Sequence, residues 1–210
     1  MIVLPYLYAI LDVDIAAARG LQPASLCDIW LAAGIRLIQL RAKHLTGGPM
    51  QQLAAELTGQ CHAAGGRLIV NDRADVARLS GADGVHVGQD DLTPEHARQV
   101  VGADAVVGVS THSEVQVREA VQGPIDYLAI GPIFSTSSKE QPDPVVGLEG
   151  LTRASAIAAS RGIPLVAIGG ITLDKAPAVL EAGASSVAVI SDLLAGDPAA
   201  RARAFVHLIR

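Results

Sequence analysis

Short aliphatic runs recur along the chain at 6–11 (YLYAIL), 35–40 (IRLIQL), 67–70 (RLIV) and 84–87 (GVHV). Four more follow at 105–109 (AVVGV), 127–130 (YLAI), 165–168 (LVAI) and 186–190 (SVAVI). Near-continuous apolar runs of this length suit strands covered on both faces. The gaps between them carry helical patterns with start and stop signals. Ser25 is expected to cap a helical run that ends at Gly34. Thr93 and Pro94 supply an N-cap and a proline at the first helical position. Ser113 caps another run, with Gln116 as its capping-box partner. Thr172 is expected to open a helix that Gly183 closes.

Eight strands alternating with helices imply parallel pairing. The pattern predicts one compact α/β domain over residues 1–210, a (β/α)8 TIM barrel. An internal echo supports it. Residues 81–92 (GADGVHVGQDDL) and 183–194 (GASSVAVISDLL) share a Gly-Ala entry, an apolar strand and an Asp-Leu turn. They would be strands four and eight, half a barrel apart. A doubly wound open sheet is the alternative, against which the strand count and the lack of an early GxGxxG weigh. The longest irregular segment, 131–147, follows strand six, and so long a loop in an economical chain is expected to serve function.

Composition narrows the classes. The 210 residues are 50% hydrophobic, 18% charged and 3% aromatic, with a net charge of −5. So apolar a chain is expected to fold. Its mild acidity and few aromatics argue against a nucleic-acid partner read by charge or base stacking. The run from Ile2 to Leu11 is broken by Pro5 and is too short to span a membrane. It also lacks the basic start and cleavage site of a signal peptide, so a cytoplasmic protein without a membrane partner is expected. Cys27 and Cys61 lie in helical stretches, outside any CxxC or Cys/His pattern, and read as reduced, buried thiols. A homo-oligomer is compatible with the sequence, which does not specify the oligomeric state.

In a parallel barrel, ligands bind beyond the carboxyl ends of the strands. Those ends carry Gln39, Arg41 and Lys43; Asn71 and Asp72; Gln89, Asp90 and Asp91; Ser110 and His112; Thr136 to Lys139; Gly169 and Gly170; and Ile190 and Ser191. Asp72 and Asp91 follow adjacent strands, so their carboxylates could converge on Mg²⁺, which completes its shell with water and phosphate oxygens. Asp72 read alone is as well explained as a helix cap, Gly169-Gly170 as a tight turn, and His86 as a satisfied interior histidine. Arg41, Lys43 and Lys139 bring positive charge to the same mouth, as a polyanion requires. Glycines at 169–170 and amides near Ser191 could hold a monophosphate. Two anion sites suggest two small phosphorylated substrates.

The motifs QLRAK (39–43), ND (71–72), HVGQDD (86–91), GVSTH (108–112), GPIFSTSSK (131–139), AIGGI (167–171) and VAVIS (187–191) fall in order at predicted strand ends. Together they resemble the thiamine phosphate synthase and thiazole tautomerase superfamily over nearly the whole chain. The resemblance implies a transferase that joins hydroxymethylpyrimidine diphosphate to thiazole phosphate, giving thiamine phosphate and diphosphate. It implies that Gln39, Leu40, Arg41, Ala42, Lys43, Asn71, Ser110 and Lys139 bind the pyrimidine diphosphate. Thr136, Ser137, Ser138, Gly170, Ile190 and Ser191 would hold the thiazole phosphate, and Asp72 and Asp91 would hold Mg²⁺. Arg41, Lys43, Ser110 and Lys139 would carry the catalysis. The family's usual TxTKxD reads TSSKEQ here, so Gln141 stands where the family has an acid. Two other functions compete: a tautomerase using His112 as acid/base, and a non-catalytic barrel that binds a phosphorylated metabolite. Retention of the Asp72/Asp91 pair and Lys139 favours the synthase.

Overall fold

The structure, a computed structural model, describes residues 3–136 and 143–209. Eight strands form the centre: β1 (Leu7–Asp12), β2 (Leu37–Arg41), β3 (Arg67–Asn71) and β4 (Gly84–Val87), then β5 (Val106–Thr111), β6 (Tyr127–Ile130), β7 (Leu165–Ile168) and β8 (Ser186–Val189). Each pairs in parallel with the next, and β8 pairs with β1 to close the barrel. Around it lie α1 (Val13–Ala18), α2 (Pro23–Ala32), α3 (Gly47–Ala63), α4 (Ala74–Ser80) and α5 (Pro94–Val101). They continue with α6 (Glu114–Ala120), α7 (Gly147–Ala159), α8 (Ala176–Glu181), a short 3-10 turn (Ser191–Leu194) and α9 (Pro198–Leu208). The fold class expected from the alternation is the one observed. Among the described residues no helix is long and apolar enough to cross a membrane.

The apolar runs are continuous because each strand is covered twice. One set of side chains, including Ile10, Leu37, Ile69 and Val166, fills the barrel with Tyr8 and Tyr127. The alternate set, including Leu11, Ile38, Leu40 and Val70, packs outward against the helices. Cys27 and Cys61 are buried free thiols on the neighbouring helices α2 and α3, as expected. The adjoining Cys61 thiol, reinforced by burial, pushes Cys27 well above the usual thiol range.

At the closed end, residues just ahead of the strands cross-brace their neighbours. Asp83 accepts from Leu68 N at 2.8 Å, Asp126 from Val107 N at 2.8 Å, and Ser185 from Leu165 N at 3.2 Å. Asp83 and Ser185 occupy equivalent places in the internal echo, so the repeat preserves a job as well as a pattern.

Thr93 and Ser113 cap α5 and α6 through their side chains, at 3.3 Å in both cases. Gln116 reaches back to His112 N at 2.7 Å, one residue ahead of the capping-box partner. Two expected caps are corrected. Ser25 lies inside α2, which starts at Pro23 because proline suits the first turn, where no amide donor is needed. Thr172 precedes α8 by a full turn. Its carbonyl accepts from Lys175 N and Ala176 N, and the segment after β7 is spent lining a cavity before the helix begins.

One glycine shapes the interior. Gly108 pairs laterally with His86 on one side and Tyr127 on the other. A Cβ there would stand 2.1 Å from Tyr127 Cζ, so the tyrosine ring occupies the space a side chain would need. Gly108→Ala is expected to lower the unfolding free energy by about 1–3 kcal/mol through overpacking. Urea denaturation of the two proteins measures it, and equal stability would show that the ring is free to move aside.

Candidate active site

The strand ends open into one cavity of about 550 Å³, within the size range of small-molecule sites, roughly 300–1,000 Å³. Gln39, Arg41, Asn71, Ser110, His112, Thr136, Gly170, Ile190 and Ser191 all line it. Alternation along β2 decides which of residues 39–43 face it. Gln39 and Arg41 point inward, whereas the side chains of Leu40 and Ala42 are buried in the outer core against the helices. A strand presents alternate residues to opposite faces, so only the backbone of Leu40 and Ala42 is left to meet a ligand on this side. Ser137, Ser138, Lys139 and Gln141 lie outside the described residues.

Arg41 is held in place from β1. Its Nη1 pairs with Asp12 Oδ2, while Asp12 Oδ1 accepts from Asp14 N at 3.1 Å and Ile15 N at 3.0 Å. Asp12 is buried and sits opposite Arg41 in the parallel register. Sequence reading missed this residue, since an Asp at a strand end before a helix reads as a cap, and it caps α1 as well.

Asp72 and Asp91 do come together beyond the ends of β3 and β4, near enough for the Asp91 carboxyl group to raise the Asp72 pKa. Burial raises the Asp72 pKa, the Lys43 ammonium opposes that rise, and Asp91 adds to it. Lys43 Nζ lies 2.7 Å from Asp72 Oδ2, so a protein cation already balances this charge. Asp72 adopts φ +64°, the left-handed region that an aspartate tolerates better than most side chains. Its amide donates to His86 O at 2.8 Å, which anchors the turn to β4. Asp91 Oδ2 accepts from Gly88 N at 2.8 Å. Among the described residues no three His, Cys, Asp or Glu side chains converge as a metal cluster. Two carboxylates with a cation already beside them suit a hard ion that takes its remaining oxygens from water and phosphate.

The opposite end of the cavity is built by glycine. A Cβ on Gly170 would stand 2.5 Å from Ser135 O, and one on Gly169 would stand 2.5 Å from Pro132 Cβ. Both have positive φ, at +63° and +99°. The turn after β7 thus packs tightly against residues 132–135, with Ile190 and Ser191 lining the same end of the cavity. These glycines make the tight turn expected of them, and that turn lines the cavity. Two cations there were not anticipated. Arg19 donates to Leu194 O, and Lys175 Nζ lies 4.7 Å from the Phe134 ring centroid; both side chains line the cavity. Each follows a run that reads only as helix or turn, so no pattern marked them.

His112 lines the cavity with Nδ1 2.6 Å from Gly131 O and 3.4 Å from Asp143 Oδ2. His86 is interior, as expected. Its Nδ1 lies 2.8 Å from the Tyr127 hydroxyl and its Nε2 2.8 Å from Ser110 Oγ. Burial lowers its pKa from 6.5 to about 4, a shift that the Asp91 charge only partly opposes.

The sequence matches the family described as thiamine monophosphate synthase over residues 7–193. The thiamine-phosphate synthase of Koribacter versatilis (strain Ellin345) is 47% identical over 212 residues, 98% of this chain and 96% of its own length. That of Azorhizobium caulinodans is 39% identical over 189 residues, covering 90% of this chain and 87% of its own. The solved structure of thiamine phosphate pyrophosphorylase from Pyrococcus furiosus is similar with a TM-score of 0.85 at 31% identity, covering 97% of this chain and 94% of that one.

The depressed His86 pKa has a consequence for stability. Below pH 6.5 the unfolded chain takes up a proton that the folded protein refuses until about pH 4, so stability falls as pH drops through this window. Between pH 7 and pH 5 the contribution lost is about 2 kcal/mol. Urea unfolding at the two pH values should show a drop in the native protein that is smaller by about that amount in His86→Gln. Equal drops would mean that His86 is already charged in the folded state.

Proposed function

The chain belongs to the thiamine monophosphate synthase family, and from that premise we propose that it condenses hydroxymethylpyrimidine diphosphate with thiazole phosphate, releasing diphosphate. The observation that carries this reading is the Asp72/Asp91 pair with Lys43 beside it; the three follow the carboxyl ends of β3, β4 and β2, next to the cavity wall that Asn71 and Arg41 line rather than on it. A tautomerase or a passive binding barrel has no use for such a diphosphate-handling group.

Asp72 and Asp91 would hold Mg²⁺, which supplies positive charge against the diphosphate. Arg41, pre-oriented by Asp12, presents a planar fork of donors to the same oxygens. Lys43 is partly exposed and sits on the edge of the group, placed to follow the charge as it leaves. Ser110 and Asn71 line the cavity floor and contribute polar contacts to the pyrimidine diphosphate. Lys139 joins them by resemblance. Thr136, Gly170, Ile190 and Ser191 would grip the thiazole phosphate, with Ser137 and Ser138 added by resemblance.

The chemistry is dissociative. The C–O bond to the diphosphate breaks, the aminopyrimidine stabilises the methylene cation, and the thiazole nitrogen forms the new C–N bond. The protein need supply no nucleophile of its own. Its tasks are to hold the two substrates in line and to stabilise charge on the leaving group. No strong base is required; both ring nitrogens of His86 and the Nδ1 of His112 are engaged in hydrogen bonds within the protein.

The direct test supplies both substrates and Mg²⁺ and follows diphosphate release. Release is expected only when all three are present; aromatisation of a thiazole isomer without metal would instead establish a tautomerase. Arg41→Ala is expected to slow single-turnover release on the order of 10²-fold, as for loss of a strong transition-state donor. Asp72→Asn should raise the Mg²⁺ concentration needed for half-maximal rate, and an unchanged Mg²⁺ dependence would remove Asp72 from the metal site.

A further inference from the structure

An unbroken series of hydrogen bonds crosses the barrel interior and ends at the cavity. Gln39 Nε2 donates to the Tyr8 hydroxyl at 2.9 Å, and the Tyr8 and Tyr127 hydroxyls are 3.0 Å apart. The Tyr127 hydroxyl lies 2.8 Å from His86 Nδ1, and His86 Nε2 lies 2.8 Å from Ser110 Oγ. Gln39, Tyr8, Tyr127 and His86 are all buried; Gln39, Tyr8, His86 and Ser110 also line the cavity, and Tyr127 does not.

The direction of donation follows from counting protons. Each phenol has one, and a buried donor left without an acceptor is costly. Tyr8 already accepts from the Gln39 amide, and sending its own proton to Tyr127 is the arrangement that gives every donor of the series an acceptor within it. The Tyr127 proton then goes to His86 Nδ1. An imidazole that accepts at Nδ1 carries its hydrogen on Nε2 and donates it to Ser110 Oγ. In the reverse direction the Tyr8 hydroxyl would meet the Gln39 N–H donor to donor. With its oxygen accepting from His86, Ser110 has its own hydroxyl hydrogen free for the cavity.

The geometry exists because Gly108 has no side chain. Tyr127 fills the vacant space and reaches across β5 to His86, whose ring lies nearly parallel to it at 23° with centroids 5.4 Å apart. The opposing ring of Tyr8 meets Tyr127 edge-on at 80°, which brings the two hydroxyls together.

We propose that His86 is a positioning residue for the condensation: the Tyr8–Tyr127 pair holds it in the Nε2–H form, and this turns Ser110 into a donor toward the pyrimidine diphosphate. The proposal rests on the synthase reading above. It assigns work to Tyr8 and His86, which line the cavity, and to Tyr127 behind them, none of which the sequence reading placed in the site.

Two measurements test it. In single-turnover release assays, His86→Leu should lower the rate about tenfold while the KM for thiazole phosphate stays within about twofold. His86→Gln, whose amide can donate in place of Nε2–H, should recover most of the loss. In a Ser110→Ala background, His86→Leu should cost nothing further, because the two residues act as one unit. Additive losses, or failure of His86→Gln to recover activity in a folded protein, would overturn the proposal. The second measurement uses ¹⁵N-histidine-labelled full-length protein, with His86→Gln assigning the signal. A neutral imidazole protonated at Nε2 is expected, changing on Tyr127→Phe, which keeps the ring and so the packing. Protonation at Nδ1 would overturn the proposal even if His86→Leu failed to fold. If the unmutated protein released no diphosphate, the synthase reading would fall and the catalytic role of Ser110 with it, whereas the tautomer would still decide whether the hydrogen-bond series is right.

Discussion

Closure of the parallel barrel is the constraint on which everything else depends. Once β8 pairs with β1, no edge remains, and all eight strands deliver their carboxyl ends to one rim. Residues as far apart in sequence as Arg41 and Ser191 then share one cavity without a special contact to unite them. The rigidity of the ladder also limits misplacement. Asp12 and Arg41 are register partners on neighbouring strands, so their ion pair is set by the same hydrogen bonds that close the sheet.

A closed barrel must also fill its interior, and this one does so with few large side chains. Tyr8 and Tyr127 occupy the space where most barrels would stack aliphatics. Each brings a polar hydroxyl into a low-dielectric region, which is tolerable only if that group is paired. The series from Gln39 to Ser110 meets this requirement, and burial holds both phenols well above their ordinary pKa, hence protonated. Packing and polarity are solved together: the atoms that plug the barrel also orient a hydroxyl at its mouth.

Charge at the rim follows the same economy. The protein is acidic overall, at −5, yet the cavity gathers Arg19, Arg41 and Lys175, and beyond the end of β2 Lys43 pairs with Asp72. Asp72 and Asp91 face each other closely, an arrangement that burial makes unfavourable and that Lys43 relieves. Such a cluster of perturbed charges is a mark of a functional site rather than of stability alone.

The eight apolar runs, the caps at Thr93 and Ser113, and the polar strand ends were legible from the sequence because they depend on local periodicity and local backbone chemistry. The motifs at those ends placed Arg41, Ser110 and Gly170 on the cavity wall for the same reason. Ser25 and Thr172 misled because a hydroxyl near a helix start is an ambiguous signal when Pro23 or a ligand-lining turn sets the boundary instead. The contiguous motif at 39–43 did not reveal the alternation that sends the Leu40 and Ala42 side chains to the helices. Asp12, Arg19, Lys175 and the tyrosine pair could not be read at all. Their roles arise across the barrel, where Tyr8 and Tyr127 are 119 positions apart in the chain yet 3.0 Å apart in space. The sequence by itself determined which elements form and which chemistry reaches the rim, since these rest on near neighbours. Only the tertiary structure decided which groups meet inside, because those contacts are made by barrel closure and by the space that Gly108 leaves open.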